Sequence, residues 1–152
     1  MPEPLKSFVN RASVTRLADA IQSVDPAFDA RTFAGDAING IEPLELKARI
    51  DHVAAALAAH LPRSFPKAAR LLRRAIPKRE PEPELTMWEA WPATTYIEYH
   101  GLAHPKEALD TLAVLTRYAS AEFAVRPYVE QHPDLTWPRL HEWTQSKDVH
   151  VR

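Results

Sequence analysis

Apolar positions recur along this chain at helical spacing, in short runs punctuated by proline. Val14, Leu17, Ala18, Ile21 and Val24 fall on one helix face, and Ser13 just ahead of them is expected to cap it. Asp29 is expected to cap a second short helix through Phe33 and Ile38, stopped by Gly40. Pro43 fits the first turn of a longer helix in which Leu46, Ile50, Val53, Leu57 and Leu61 form one stripe. Ser64 and Pro66 restart the chain into a helix over 68–76, which Pro77 ends.

The second half continues in the same manner. The pattern predicts helices over 92–99, ended by Gly101, and over 105–119, with Leu109, Leu112, Ala113 and Thr116 on one face. Ser120 is expected to open a helix through Glu122, Phe123 and Val129, and Thr136 with Pro138 to open another through Leu140 and Trp143. The β-branched residues never alternate over a useful length, so no strand is predicted. Short helices joined by Pro turns predict an all-α stack rather than a bundle of long helices. The last residues, Asp148-Val-His-Val-Arg152, have the form in which a HEAT-type helix begins, and a helical repeat needs a following element to cover its apolar face. Residues 1–152 are thus expected to form a single HEAT-like repeat domain that breaks off in mid-pattern. Residues 77–84, with three prolines and alternating charge, are expected to form an exposed loop or linker.

Composition narrows this further. Fourteen prolines against three glycines suit helices started by Pro and argue against a sheet rich in tight Gly turns. The chain has no cysteine, which excludes disulfides and thiolate metal sites. No apolar run is long enough to span a bilayer, and a cytoplasmic location with no membrane partner is the expectation. A net charge of −1 makes no bulk electrostatic case for nucleic acid. Locally the balance differs. Arg63, Lys67, Arg70, Arg73, Arg74, Lys78 and Arg79 follow one another with no acid until Glu80, a run suited either to phosphate or to a solvated helix face.

Candidate chemistry is sparse. His100 and His104 have ligand spacing, but Gly101 between them and the lack of a third ligand argue against a metal site, and no cofactor is implied. His52 and His60 lie on the long helix in alanine-rich surroundings. No Gly-rich phosphate loop or nucleophile elbow is present. Two carboxylates stand out: Glu98, flanked by aromatics, and Glu122, four residues before Arg126. An acid in the first turn of a helix paired with an arginine at i+4 is explained by helix stability alone, and it is equally a candidate for chemistry. Trp88, Trp91, Tyr96, Tyr99, Trp137 and Trp143 suit packing between repeats or stacking on bases.

Several blocks resemble the AlkC family of alkylpurine DNA glycosylases: Met1-Pro-Glu-Pro-Leu-Lys-Ser-Phe-Val-Asn10, Leu44-Glu-Leu-Lys-Ala-Arg49, Tyr99-His-Gly-Leu102, Ala121-Glu-Phe-Ala-Val-Arg-Pro127 and His150-Val-Arg152. They occur in order and at compatible spacing over the whole chain, which matches the N-terminal portion of that family. The resemblance implies a superhelix of HEAT-like repeats whose concave face holds duplex DNA by its backbone. It also implies excision of cationic alkylated bases such as 3-methyladenine and 3-methylcytosine without a deep base pocket. The matching acid is Glu122, and Arg126, His150 and Arg152 become candidate backbone contacts alongside Arg70, Arg73 and Arg74. Pairing with Glu122 is the rival explanation for Arg126, and ordinary solvation for Arg152. Relatives continue past His-Val-Arg with a segment that carries another acid and several basic residues. If 152 residues were the whole molecule, the faces of Leu140 and Trp143 are expected to be partly uncovered and to invite self-association. A non-catalytic helical module that binds DNA or a protein is the alternative, and a purely structural, self-associating fragment is a third.

The apolar stripe on the longest helix carries its own test. Leu57→Ala is expected to cost about 2–5 kcal/mol of unfolding free energy in denaturant titration. A loss below about half a kcal/mol would place that stripe outside the core.

Overall fold

A computed structural model describes residues 2–77 and 85–152. Among these residues the chain forms eight α-helices and one short 3-10 turn (Leu5–Phe8), with no strand. The helices are α1 (Arg11–Val24), α2 (Ala30–Ile38), α3 (Leu46–His60), α4 (Phe65–Ala75), α5 (Met87–His100), α6 (Pro105–Leu115), α7 (Glu122–Gln131) and α8 (Pro133–Thr144). They stack in two layers. α2, α3, α5 and α7 pack side by side in one, and α1, α4, α6 and α8 in the other. Each helix touches its flanking neighbours within a layer, and the layers meet through α1 with α2 and α5, α4 with α5, α6 with α5 and α7, and α7 with α8, as in a repeat solenoid. The all-α, HEAT-like expectation therefore holds. The loop expected over 77–84 lies, apart from Pro77, outside the described residues.

Helix starts are set by caps as much as by apolar spacing. Asn10, not Ser13, caps α1: its side chain accepts from the Ser13 backbone N–H at 3.0 Å, and Ser13 Oγ accepts from the Asn10 N–H at 3.0 Å. Ser13 is thus the third helical residue of a capping box, which adds one turn. Asp29 caps α2 as expected, accepting from Thr32 N at 3.0 Å, and Gly40 follows the helix with φ of 81°, a conformation that favours glycine. α3 begins at Leu46, beyond Pro43. α5 begins at Met87 rather than at Pro92, because Thr86 and Glu89 form a second capping box upstream. Pro92 then sits inside the helix, where it removes the bond to the Trp88 carbonyl. α6 stops at Leu115, short of Ala119. α7 begins at Glu122, after Ser120, and α8 at Pro133, so that Thr136 and Pro138 lie within it.

The core runs through both layers. Ile50, Val53 and Leu57 of α3 are buried, together with Leu17 and Ile21 of α1, Leu72 of α4, Ile97 of α5, and Leu109 and Leu112 of α6. Two buried charges fix the first half of the stack. Arg49 donates to the carbonyls of Leu44 (2.9 Å), Glu42 (3.0 Å), Val9 (3.0 Å) and Lys6 (3.2 Å), so one guanidinium holds the N-terminal turn against the entry to α3. Five fixed donors suit this clustering of carbonyls, which a lysine could not match. Glu89, whose side chain is fully buried, takes the Arg16 guanidinium at 2.7 Å while capping α5, and so joins α1 to α5. Loss of Arg16 would strand the buried Glu89 carboxylate, whereas Arg16 itself is half exposed.

The second half is centred on Tyr128. Its ring is fully buried and its hydroxyl donates to Ile97 O at 2.6 Å. Burial is the main cause that pushes this phenol's pKa far up, with the nearby Glu98 and Tyr96 adding to it. Gly101 ends α5 directly beneath. A Cβ there would collide with the Tyr128 hydroxyl oxygen and lie 2.7 Å from the Phe65 ring and 3.0 Å from Ala108 Cβ. The glycine is required for close approach of α4, α5, α6 and α7, not for its backbone angles.

Two outcomes follow. Gly101→Ala is expected to cost about 1–3 kcal/mol, and part of that cost should vanish in the Tyr128→Phe background. Additive losses in a double-mutant cycle would refute the collision. Glu98 is half-buried, and burial raises its pKa despite the opposing field of Lys47, with Asp51 adding to the rise. The native state therefore keeps the proton at pH values where the unfolded chain has lost it, and stability falls as pH rises through that range. Glu98→Gln should raise Tm relative to the parent more at about pH 7 than at about pH 3.5; equal differences at both would remove the effect.

Candidate nucleic-acid interface

The candidate acid stands at the start of α7. Ala121 is the N-cap without a side-chain bond, and Ser120 Oγ accepts from the Glu122 N–H at 3.3 Å. The positive end of the helix dipole favours a carboxylate here. The Glu122 side chain is exposed and takes the Arg126 guanidinium at 3.1 Å, one turn along. That guanidinium also covers the Phe123 ring, 4.4 Å from its centroid, and Phe123 is itself 63% exposed. An acid, an aromatic face and a cation thus share one open patch. Nothing in the local sequence marks Phe123 as exposed; its place in the first turn of α7, one turn before Arg126, is the one signal for the stacked pair.

The end of the chain returns to this patch. Thr116, at the C-terminal end of α6, donates to His150 O at 3.3 Å and accepts from Ala121 N at 3.4 Å. Arg117 pairs with Asp148 at 2.9 Å. Asp148 in turn accepts from the His150 N–H through its side chain at 2.9 Å and from the Arg152 N–H through its carbonyl at 3.1 Å, the geometry of an N-cap over one turn. This agrees with the helical beginning expected for Asp-x-x-Val-Arg. Through Thr116 the His150 backbone is brought beside Ala121 at the head of α7, and the side chains of His150 and Arg152 are exposed.

The arginines of α4 stand elsewhere, in the other layer. Arg70 and Arg74 are exposed. Arg73 is turned into the seam with α6, where it donates to Thr111 Oγ1 at 2.9 Å and to Glu107 O at 3.3 Å. It ties two helices together, and its guanidinium is committed to that contact. Lys78 and Arg79 lie outside the described residues.

Three of the candidate histidines are engaged by neighbouring side chains. His100 stacks on Tyr96 with ring centroids 5.1 Å apart, and His104 on Phe65 at 5.9 Å. His60 lies against Asp36 at 2.5 Å. Among the described residues, no three metal-ligating side chains come together, and no helix is long and apolar enough to cross a membrane. Trp88 stacks on Phe8 at 5.3 Å, whereas Trp137 is 59% exposed on α8.

Comparison with known proteins found no matching family model. An uncharacterized protein of Bacillus subtilis (strain 168), YhaZ, is 28% identical over 149 residues, which cover 97% of this chain and 40% of that protein. A Pseudomonas fluorescens alkylpurine DNA glycosylase, AlkC, solved bound to DNA containing an abasic site analog, superposes with a TM-score of 0.86 at 26% identity. The superposition covers 100% of this chain and 41% of that one. The chain therefore spans about two fifths of the length of each relative. Eight helices in two layers, matched along their whole length to that enzyme, make this chain AlkC-like in fold.

Proposed function

We propose that this chain forms part of a DNA alkylation-repair glycosylase that excises cationic N3-alkylated bases, 3-methyladenine and 3-methylcytosine, from duplex DNA. The observation that supports this most is the whole-chain likeness to a DNA-bound alkylpurine DNA glycosylase. The exposed carboxylate at the head of α7 is the second support. An N3-alkylated base already carries positive charge, so its departure with the bonding electrons yields a neutral leaving group and needs little acid catalysis. The remaining requirement is to stabilise the oxocarbenium-like sugar and to orient a water toward it. Glu122 is the group assigned to both tasks, without a deep pocket around it.

In this reading Arg126, His150 and Arg152 contact DNA phosphates around the lesion. A phosphate competes with Glu122 for the Arg126 guanidinium, and its arrival frees the carboxylate to face the sugar. The stacked Phe123 ring preorganises that guanidinium. One observation favours a second reading, a non-catalytic helical module: the i,i+4 pair between Glu122 and Arg126 stabilises α7 whether or not DNA is present.

The two readings part in a single assay. The glycosylase reading expects release of 3-methyladenine from alkylated duplex, lowered about a hundredfold or more in Glu122→Gln. Release at the parent rate by Glu122→Gln would remove the role of Glu122. Binding of duplex with no release by the parent would leave the module.

A further inference from the structure

A groove of about 520 Å³ runs between α1 and α2, the helices that close the stack at the end remote from α7. Arg11, Thr15, Asp19 and Gln22 line its α1 side, one face of that helix. Arg31 and Gly35 line its α2 side. Arg11 opens α1, Arg31 stands in the first turn of α2, and the short link 25–29 joins the end of α1 to the start of α2. The two guanidiniums therefore stem from opposite ends of the groove. Elsewhere opposite charges meet, as Lys47 with Asp51 and Arg126 with Glu122. Here, among the described residues, neither Arg11 nor Arg31 has a carboxylate within 4.0 Å, and Asp19 has no cation within that distance. Asp29, also on the wall, is committed to its own helix, since both of its oxygens accept from Thr32. Gln22 donates to Phe28 O at 3.3 Å and keeps its amide oxygen open.

Gly35 points the same way. It sits inside α2, not at its end, where Gly40 supplies the left-handed turn. A glycine inside a helix lowers stability relative to alanine, and close packing is the usual reason to keep one. The fold holds no such reason, because a Cβ at Gly35 would meet no atom within 4 Å. Its bare backbone instead leaves the groove wall open to close approach by another chain. We propose that this groove binds an extended peptide segment with acidic side chains at both ends, its backbone laid against Gly35. From Arg11 to Gln22 the wall advances about 16 Å along α1, at about 1.5 Å per residue. A peptide of about five extended residues has that length, at about 3.3 Å each. Two open guanidiniums against one open carboxylate select acids on the ligand, and a guanidinium can take a carboxylate through two parallel bonds. Between them, the Thr15 hydroxyl and the Gln22 oxygen suit the peptide's amides. A single small anion would engage one end only. Because α7 packs on α5, α6 and α8, a peptide in this groove leaves Glu122 untouched.

The experiment follows the Gly35 amide in 1H–15N correlation spectra of the full chain, a signal easily resolved because the sequence has three glycines. The probe is a pool of blocked pentapeptides with Glu at the first and fifth positions and mixed residues between them. A pool with Lys at those two positions is the control. The Glu pool should shift the Gly35 amide, and the Lys pool should not. By calorimetry, Arg11→Gln combined with Arg31→Gln should weaken Glu-pool binding about tenfold or more. Gly35→Ala should weaken it comparably while raising Tm by about 2–4 °C, a pairing that a merely structural glycine would not give. No shift with the Glu pool, equal shifts with both pools or with acetate alone, or undiminished binding by Gly35→Ala overturns the peptide site. A fall in Tm for Gly35→Ala overturns it as well, since the groove wall would then be packed closed.

Discussion

The hydroxyl of Tyr128 holds the second half of this molecule together, because α7 has little else with which to anchor itself. Only Ala124 and Tyr128 of that helix are buried. The phenol reaches across to Ile97 O, a carbonyl that already accepts the Gly101 N–H at 3.1 Å where α5 ends. The backbone carbonyl of Tyr128 then receives the Thr136 hydroxyl at 2.9 Å and the His132 N–H at 2.8 Å. One residue therefore joins α5, α7 and α8. A buried hydroxyl with no partner would cost about 1–3 kcal/mol, so this contact also fixes the register of α7 against α5. Glu122, about one and two-thirds turns earlier on the same helix, is positioned by that register.

Burial falls away only at the last two helices of the stack. The first helices bury aliphatic side chains on a continuous face, as four residues of α1 (Val14, Leu17, Ala18, Ile21) and five of α3 (Ile50, Val53, Ala54, Ala56, Leu57) illustrate. By α8 only Thr136 is buried. Three helices, α5, α7 and α8, also share a local peculiarity. Pro92, Pro127 and Pro138 each fall at the sixth position of their helix, so the carbonyl of the second residue loses its intrahelical donor. For α7 that residue is Phe123, whose carbonyl group lies beside the exposed patch. Helices with this defect depend on tertiary contacts more than on their own propensity, which is why single bonds such as those of Tyr128 and Thr136 matter so much here.

The helical class and the apolar stripes were legible because both depend on spacing that any helix must obey. The stripe of α3 is an example: Ile50, Val53, Leu57 and Leu61 are all buried. Helix starts were less legible, because Thr86 and Glu89 act as a pair whose meaning emerges only when the Glu is recognised as a third helical residue. Proline misled at Pro92, where a residue suited to a first turn sits deeper in the helix. The burial of Arg49 and Glu89 was hidden altogether. Charged residues are solvated by default, and no local pattern announces that four carbonyls from two segments will converge on one guanidinium. For Glu122 the motif gave the residue and the helix position, while the return of the His150 backbone to the head of α7 is a tertiary fact carried by Thr116.

The arginine run shows how a helix turns composition into distinct physical roles. Arg73 and Arg74 are adjacent in sequence, yet consecutive residues diverge by about 100° around an α-helix. That rotation sends Arg73 into the seam with α6, where Thr111 Oγ1 and a backbone carbonyl satisfy it, and Arg74 out to solvent. Arg70 lies about 40° from Arg74 on the same cylinder and so shares its side, as does Lys67. A basic stretch is therefore not yet a basic surface: one of its charges acts as mortar between helices, and the rest acquire a common direction only because that one is held. The same holds for Glu122 and Arg126, whose proximity is a property of the helix and whose exposure is a property of the stack. Local periodicity decides which charges stand together, and the packing of the two layers decides what each group faces.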